Sequence, residues 1–102
     1  MRKDLRFSIL QNKDDFDNRI CYICGSRKDG QVHEVYFGTA NRQKSIKYGC
    51  CVCLCRYHHN GSNEGVHFDI DLDIQLKMQM QHKFKEVYPD LDFRKIFGRN
   101  YL

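Results

Sequence analysis

The stretch Leu54-Cys55-Arg56-Tyr57-His58-His59 decides how this chain is read. It gathers one cysteine and two histidines directly behind Gly49-Cys50-Cys51-Val52-Cys53, a run of small and apolar residues. Upstream lies Cys21-Tyr22-Ile23-Cys24, a Cys-x-x-Cys knuckle closed by Gly25, where a tight turn suits glycine. Zn²⁺ takes N and S ligands in a tetrahedron, and two closely spaced pairs supply the full set. Cys21 and Cys24 form one pair. Cys55 and His58, with the same x-x spacing, form the other. His59 is left over beside the metal pair and is available for chemistry.

Between the knuckles, Val32-His33-Glu34-Val35-Tyr36-Phe37 reads as a strand. Alternate residues share a face, so His33, Val35 and Phe37 are expected on one side and Glu34 and Tyr36 on the other. Gly38 to Tyr48 reads as a loop, with room for one helical turn over Ser45 to Tyr48. It carries Arg42, Lys44 and Lys47 with no acid among them, which suits phosphate contacts as well as a solvated loop. Gly49 to Leu54 reads as the second strand. Cys50, Cys51 and Cys53 fit there as small buried hydrophobes, and Cys50-x-x-Cys53 is the candidate for a second metal pair.

Outward from this centre, Leu5, Phe7 and Ile9 alternate as a short strand or extended arm, and Gln11 to Arg19 reads as a polar loop. A short helix starts at His58-His59 and is interrupted by Asn60-Gly61-Ser62. Asp69 to Tyr88 places Leu72, Leu76, Met80, Phe84 and Val87 on one helical face, with Asp69, Asp71 or Asp73 to cap it. A period-two pattern from Val66 to Met80 keeps a strand in competition. Length and the helix-favouring Gln, Lys, Met and Leu speak for the helix. Pro89 ends it, Leu91 to Phe97 forms a second short helix, and Gly98 stops that one. Arg94, Lys95 and Arg99 make a basic tail.

At 102 residues the chain is one domain with a small core that a metal staple would reinforce. The expected class is α+β: an N-terminal arm over 1–20, a metal-stapled centre over 21–68 and a helical extension over 69–102. Charged residues are 29% and aromatics 13%, a balance of a globular rather than a disordered chain. A net charge of +4 is compatible with a polyanionic partner. Met1-Arg2-Lys3-Asp4 has no apolar run behind it, and no stretch approaches the roughly 20 apolar residues that span a bilayer. A cytoplasmic location is therefore expected, where cysteines serve as metal ligands more often than as disulfides.

The ordered set Cys21, Cys24, His33-Glu34, Cys55, His58 and His59 resembles the HNH (ββα-metal) nucleases, in the subgroup stapled by zinc. Val32 to Arg42, Leu54 to His59 and Val66-His67-Phe68 look like small HNH proteins of bacteriophages, among them the recombination-associated, RecA-dependent nuclease group. The resemblance covers roughly residues 20 to 70. It implies a ββα-metal, treble-clef-like fold in a bacterial host cell. It also implies DNA as substrate, recombination proteins as possible partners, and one catalytic Mg²⁺ or Mn²⁺ beside the structural zinc. Carried over residue by residue, it makes His33 the general base, with Glu34 the alternative. It makes His59 a ligand of the catalytic cation, with His67 or Asn63 as the second. Asn41 is the asparagine between the two His elements, and Arg42, Lys44 and Lys47 are the DNA contacts. The family's middle asparagine position holds Gly49-Cys50 here, and its continuous helix is broken by glycine. Two other readings compete: an inactive zinc-stapled module that binds DNA or protein, and a plain zinc ribbon in a larger assembly.

Overall fold

The computed structural model describes residues 6–59 and 69–102. Helix α1 (Lys13–Asp17) precedes strand β1 (Gln31–Glu34), helix α2 (Asn41–Tyr48), strand β2 (Cys51–Leu54) and helix α3 (Arg56–His59). Helices α4 (Ile70–Val87) and α5 (Phe93–Phe97) complete the chain. The architecture is a small mixed α+β domain. Its two strands pair antiparallel, with Gln31 opposite Leu54, Val32 opposite Cys53, His33 opposite Val52 and Glu34 opposite Cys51. No helix among the described residues is long and apolar enough to cross a membrane.

Strand β2 is buried along its whole length because both faces of the sheet are covered. On one face Cys50, Val52 and Leu54 join Leu76, Met80 and Phe84 of α4 and Phe93 and Phe97 of α5. On the other, Cys51 and Cys53 pack with Val32 and with Phe16 of α1. The apolar stripe of α4 is therefore what covers the sheet, and Asp69 starts that helix by accepting a hydrogen bond from the Leu72 amide. Phe84 is the centre of an aromatic cluster, with ring centroids 4.9 Å from Tyr88, 5.3 Å from Phe93 and 5.7 Å from Tyr48.

Several expectations are corrected. Gln11 to Arg19 is not a plain loop: Asn12 caps α1 by accepting from the Asp14 and Asp15 amides. The buried Gln11 side chain accepts from the Cys53 amide and donates to the Ile20 carbonyl, tying arm, knuckle and sheet together. Gly38 to Tyr48 holds two turns of helix rather than one, ending at Gly49 with φ 75°. A side chain at Gly49 would also strike the Phe7 ring. Strand β1 stops at Glu34, so the strict alternation expected to Phe37 fails. Val35 and Tyr36 are both buried, while Phe37 is exposed. The Tyr36 amide and carbonyl are both held by the buried Ser45 hydroxyl of α2, which twists this segment out of the ladder. Val87, expected on the core face of α4, is exposed at the last turn, and α5 is shorter than expected because Asp92 caps it. Leu5 and the break at Asn60-Gly61-Ser62 lie outside the described residues.

Because Phe84 is fully buried among aromatic rings, Phe84→Ala should cost about 3–5 kcal/mol, whereas exposed Val87→Ala should stay within about 0.5 kcal/mol. Urea unfolding of the two variants checks this. Equal losses would mean that the helix packs by a different face.

Candidate functional site

The two knuckles converge. The ligand atoms of Cys21, Cys24, Cys55 and His58 all lie within 4.8 Å of one another, and among the described residues this is the one Cys/His/acid cluster that could hold a metal ion. The Cys24 and Cys55 Sγ atoms are 3.7 Å apart. The His58 Nδ1 is 3.4 Å from the Cys55 Sγ and 3.7 Å from the Cys21 Sγ. A tetrahedral Zn²⁺ with Zn–S of about 2.3 Å and Zn–N of about 2.0–2.1 Å needs S···S edges of about 3.8 Å and S···N edges of about 3.5 Å. The donor set is one that zinc takes, and these three separations match its tetrahedral edges.

Local backbone geometry builds this cluster. The Gly25 amide donates to the Cys21 carbonyl and the Cys21 amide to the Ser26 carbonyl, folding the first knuckle. The Tyr22 amide donates to the Cys53 carbonyl and docks that knuckle on β2. The His58 and His59 amides both donate to the Cys55 carbonyl, so α3 starts at the third ligand and presents the fourth one turn later. Burial pushes the Cys21 thiol up, but the backbone amides of Cys55, Cys24 and Ile23 outweigh it and bring its pKa down to about 7. A thiol with that value is readily a thiolate, the form that ligates metal.

The other cysteines do not form a second centre. Cys50 faces the α4 side of the sheet and Cys53 the α1 side, so the Cys50-x-x-Cys53 pair points apart. All of the cysteines are free thiols, and burial raises the pKa of Cys50 and Cys53.

Next to the metal cluster lies a cleft of about 610 Å³ lined by His33, Glu34, Phe37, Gly38, Thr39, Arg42, Gln43 and His59. Consecutive histidines of α3 thus serve two places, His58 in the metal cluster and His59 in the cleft. The His33 and His59 rings stand edge to face, 5.2 Å between centroids. Glu34 sits on the cleft wall with its carboxylate held by Arg42 at 3.4 Å and by Arg6 at 3.6 Å.

The remaining expected residues divide. Arg42 lines the cleft. Lys44 turns away and donates to the Ile96 carbonyl near the C-terminal end of α5, and Asn41 donates to the Phe97 carbonyl there. Asn41 is not among the cleft-lining residues, and Lys47 rests its ammonium over the Tyr48 ring. The three basic residues therefore do not make one surface: a helix turned them in different directions. Asn63 and His67 lie outside the described residues. Phe37 stands beside His33 on the cleft wall, on the face where the alternation put both. Missed in the sequence were Gln43 as a cleft residue and Arg6 as a partner of Glu34.

No family model, curated protein or solved structure matches this chain.

Zinc should copurify at one ion per chain. Cys55→Ser and His58→Ala should both lose the metal together with cooperative folding, since metal binding in such a site is folding free energy. Cys53→Ala, which removes a sulfur from outside the cluster, should keep a full complement of zinc by metal analysis. Zinc retained in Cys55→Ser would disprove the ligand set.

Proposed function

We propose that the chain is a metal-dependent endonuclease of the HNH (ββα-metal) type that cleaves or nicks DNA phosphodiester bonds. The observation that carries this reading is the division of labour between His58 and His59. The metal cluster fixes α3, and the next residue in sequence then faces His33 across a cleft with an arginine on its wall. In this reading the zinc is structural, because four protein ligands leave it no open position.

Phosphodiester hydrolysis needs an activated water and charge neutralisation at the phosphate. His33 is the residue to take the proton from water. An imidazole has an ordinary pKa near 6.5, and β1 holds this ring rigidly in the buried wall of the cleft. Glu34 is less suited, because its carboxylate is engaged by Arg42 and Arg6. Arg42 is the described cation on the cleft wall; with Arg6 also on Glu34, its guanidinium has donors left to meet a phosphate oxygen beside that pair. A bound Mg²⁺ or Mn²⁺ would supply Lewis-acid charge neutralisation at the scissile phosphate. His59 is the described residue to hold it, and His67 or Asn63 would complete its ligands. The amide oxygen of Asn63 suits a hard cation of this kind, whereas an imidazole pair of His59 and His67 suits a softer divalent ion better than Mg²⁺.

One observation favours a second reading, an inactive zinc-stapled binding module. Asn41 is engaged by α5, so no described asparagine stands in the cleft to orient the base. Activity decides between the two. The wild-type protein should nick supercoiled plasmid with Mg²⁺ or Mn²⁺ and stop on addition of EDTA. His33→Ala should lower the rate by about 10²–10⁴ with zinc content and circular dichroism unchanged. His59→Ala should behave alike but regain some activity with excess Mn²⁺, because a ligand rather than a base is removed. Wild-type protein that binds DNA and never cuts it establishes the module instead.

The basic residues separate by position. Arg42→Ala should reduce the slope of log affinity against log salt by about 1. Lys44→Ala, whose ammonium is turned to α5, should leave that slope unchanged and lower stability slightly. Titrations of a DNA fragment over a salt range check both, and equal slopes for the two variants would contradict the geometry.

A further inference from the structure

Among the described residues Phe37 is the one large apolar side chain on the cleft wall, and 41% of it is exposed. Its position is fixed from behind. The Lys77 ammonium of α4 lies 4.3 Å from the ring centroid and 5.5 Å from that of Tyr101. That ammonium is held by Asp73 at 2.7 Å, in a pair whose side chains are only 11% and 14% exposed. The neighbouring Tyr36 is buried, and its hydroxyl donates to the Lys77 carbonyl at 2.6 Å. On the cleft side the Phe37 ring meets His33, 5.8 Å between centroids and tilted by 53°. The ring is thus backed by Lys77, in contact with His33 and partly open to solvent at the cleft.

We propose that Phe37 is a stacking platform for an unpaired nucleobase next to the scissile phosphate, so that the preferred substrate is single-stranded DNA or a locally opened strand. The inference rests on reading this cleft as a nucleic-acid site and names the form of DNA it takes. Three observations select this occupant. The cleft pairs an exposed aromatic ring with a guanidinium, the combination that binds a base and its phosphate together. Its volume of about 610 Å³ is that of a site for one small molecule, of the order of one or two nucleotides. Finally, the face of a base is covered by its neighbours inside a duplex, so a protein ring reaches it only where the strand is unpaired or the base is turned out. The Lys77 cation behind the ring keeps it from retreating into the core when a base arrives.

The test uses the full chain with its zinc and no added Mg²⁺ or Mn²⁺, so that binding is read without cleavage. A fluorescein-labelled mixed-sequence single strand and the duplex made from it are titrated by anisotropy. Wild-type protein should favour the single strand. Phe37→Ala should weaken single-strand binding by about tenfold while leaving duplex binding and the salt slope unchanged. Phe37→Leu keeps apolar bulk over Lys77 and removes the π face, and should bind like Phe37→Ala. Phe37→Trp should restore affinity, and as the chain has no other tryptophan, its fluorescence should be quenched on binding the single strand. Zinc content and melting of each variant are measured alongside. A wild-type preference for duplex overturns the proposal. So does Phe37→Leu binding like wild type, or an equal loss on both forms of DNA. Plasmid nicking by wild-type protein reports on the nuclease reading separately: cutting with no effect of Phe37 leaves the enzyme standing without the platform, and a Phe37 effect with no cutting leaves the platform without the enzyme.

Discussion

The convergence of Cys21, Cys24, Cys55 and His58 is the constraint on which the rest of the structure depends. The sheet has two short strands, a size that is marginal by itself in water. The first knuckle is docked on β2 through the Tyr22 amide, and the second knuckle is the end of β2 continued into α3. A metal joining the two would close a long loop that contains both strands. It would therefore hold the strand register and the start of α3 together.

The cleft follows from that constraint. Helix α3 is four residues long and exposes its polar face, so packing alone would not fix its direction. Ligation of His58 would fix it, and the direction of His59 then follows from the helical step between neighbours. His33 is positioned independently, by its place opposite Val52 in the ladder. The two rings meet with one set by the sheet and the other carried by α3 next to the Cys/His cluster.

What was legible in the sequence was whatever short spacing or helical period encodes. The Cys-x-x-Cys and Cys-x-x-His pairs, the placement of His59 outside the cluster and the α4 stripe from Leu72 to Phe84 all follow from local rules. The failures have physical causes. Helix α2 carries Arg42, Gln43, Lys44 and Lys47 with hardly an apolar stripe, and its one fully buried residue is Ser45, whose hydroxyl satisfies Tyr36. A buried hydroxyl doing the work of a ladder bond leaves no periodic signature. The same holds for Gln11, polar in sequence yet buried as a bracket between Ile20 and Cys53. Asn41 and Lys44 could be assigned to the cleft only while their segment was taken as a loop. Once it is helical, their side chains reach carbonyls of α5, contacts more than 50 residues away in sequence.

The central claim is that adjacent histidines divide between a metal cluster and a cleft, and zinc K-edge X-ray absorption reads that division directly. The account predicts three sulfur scatterers at about 2.3 Å and one nitrogen at about 2.0–2.1 Å for the purified protein, with the same spectrum for His59→Ala. A second nitrogen in the wild-type shell that disappears in His59→Ala would put both histidines on one metal and contradict it.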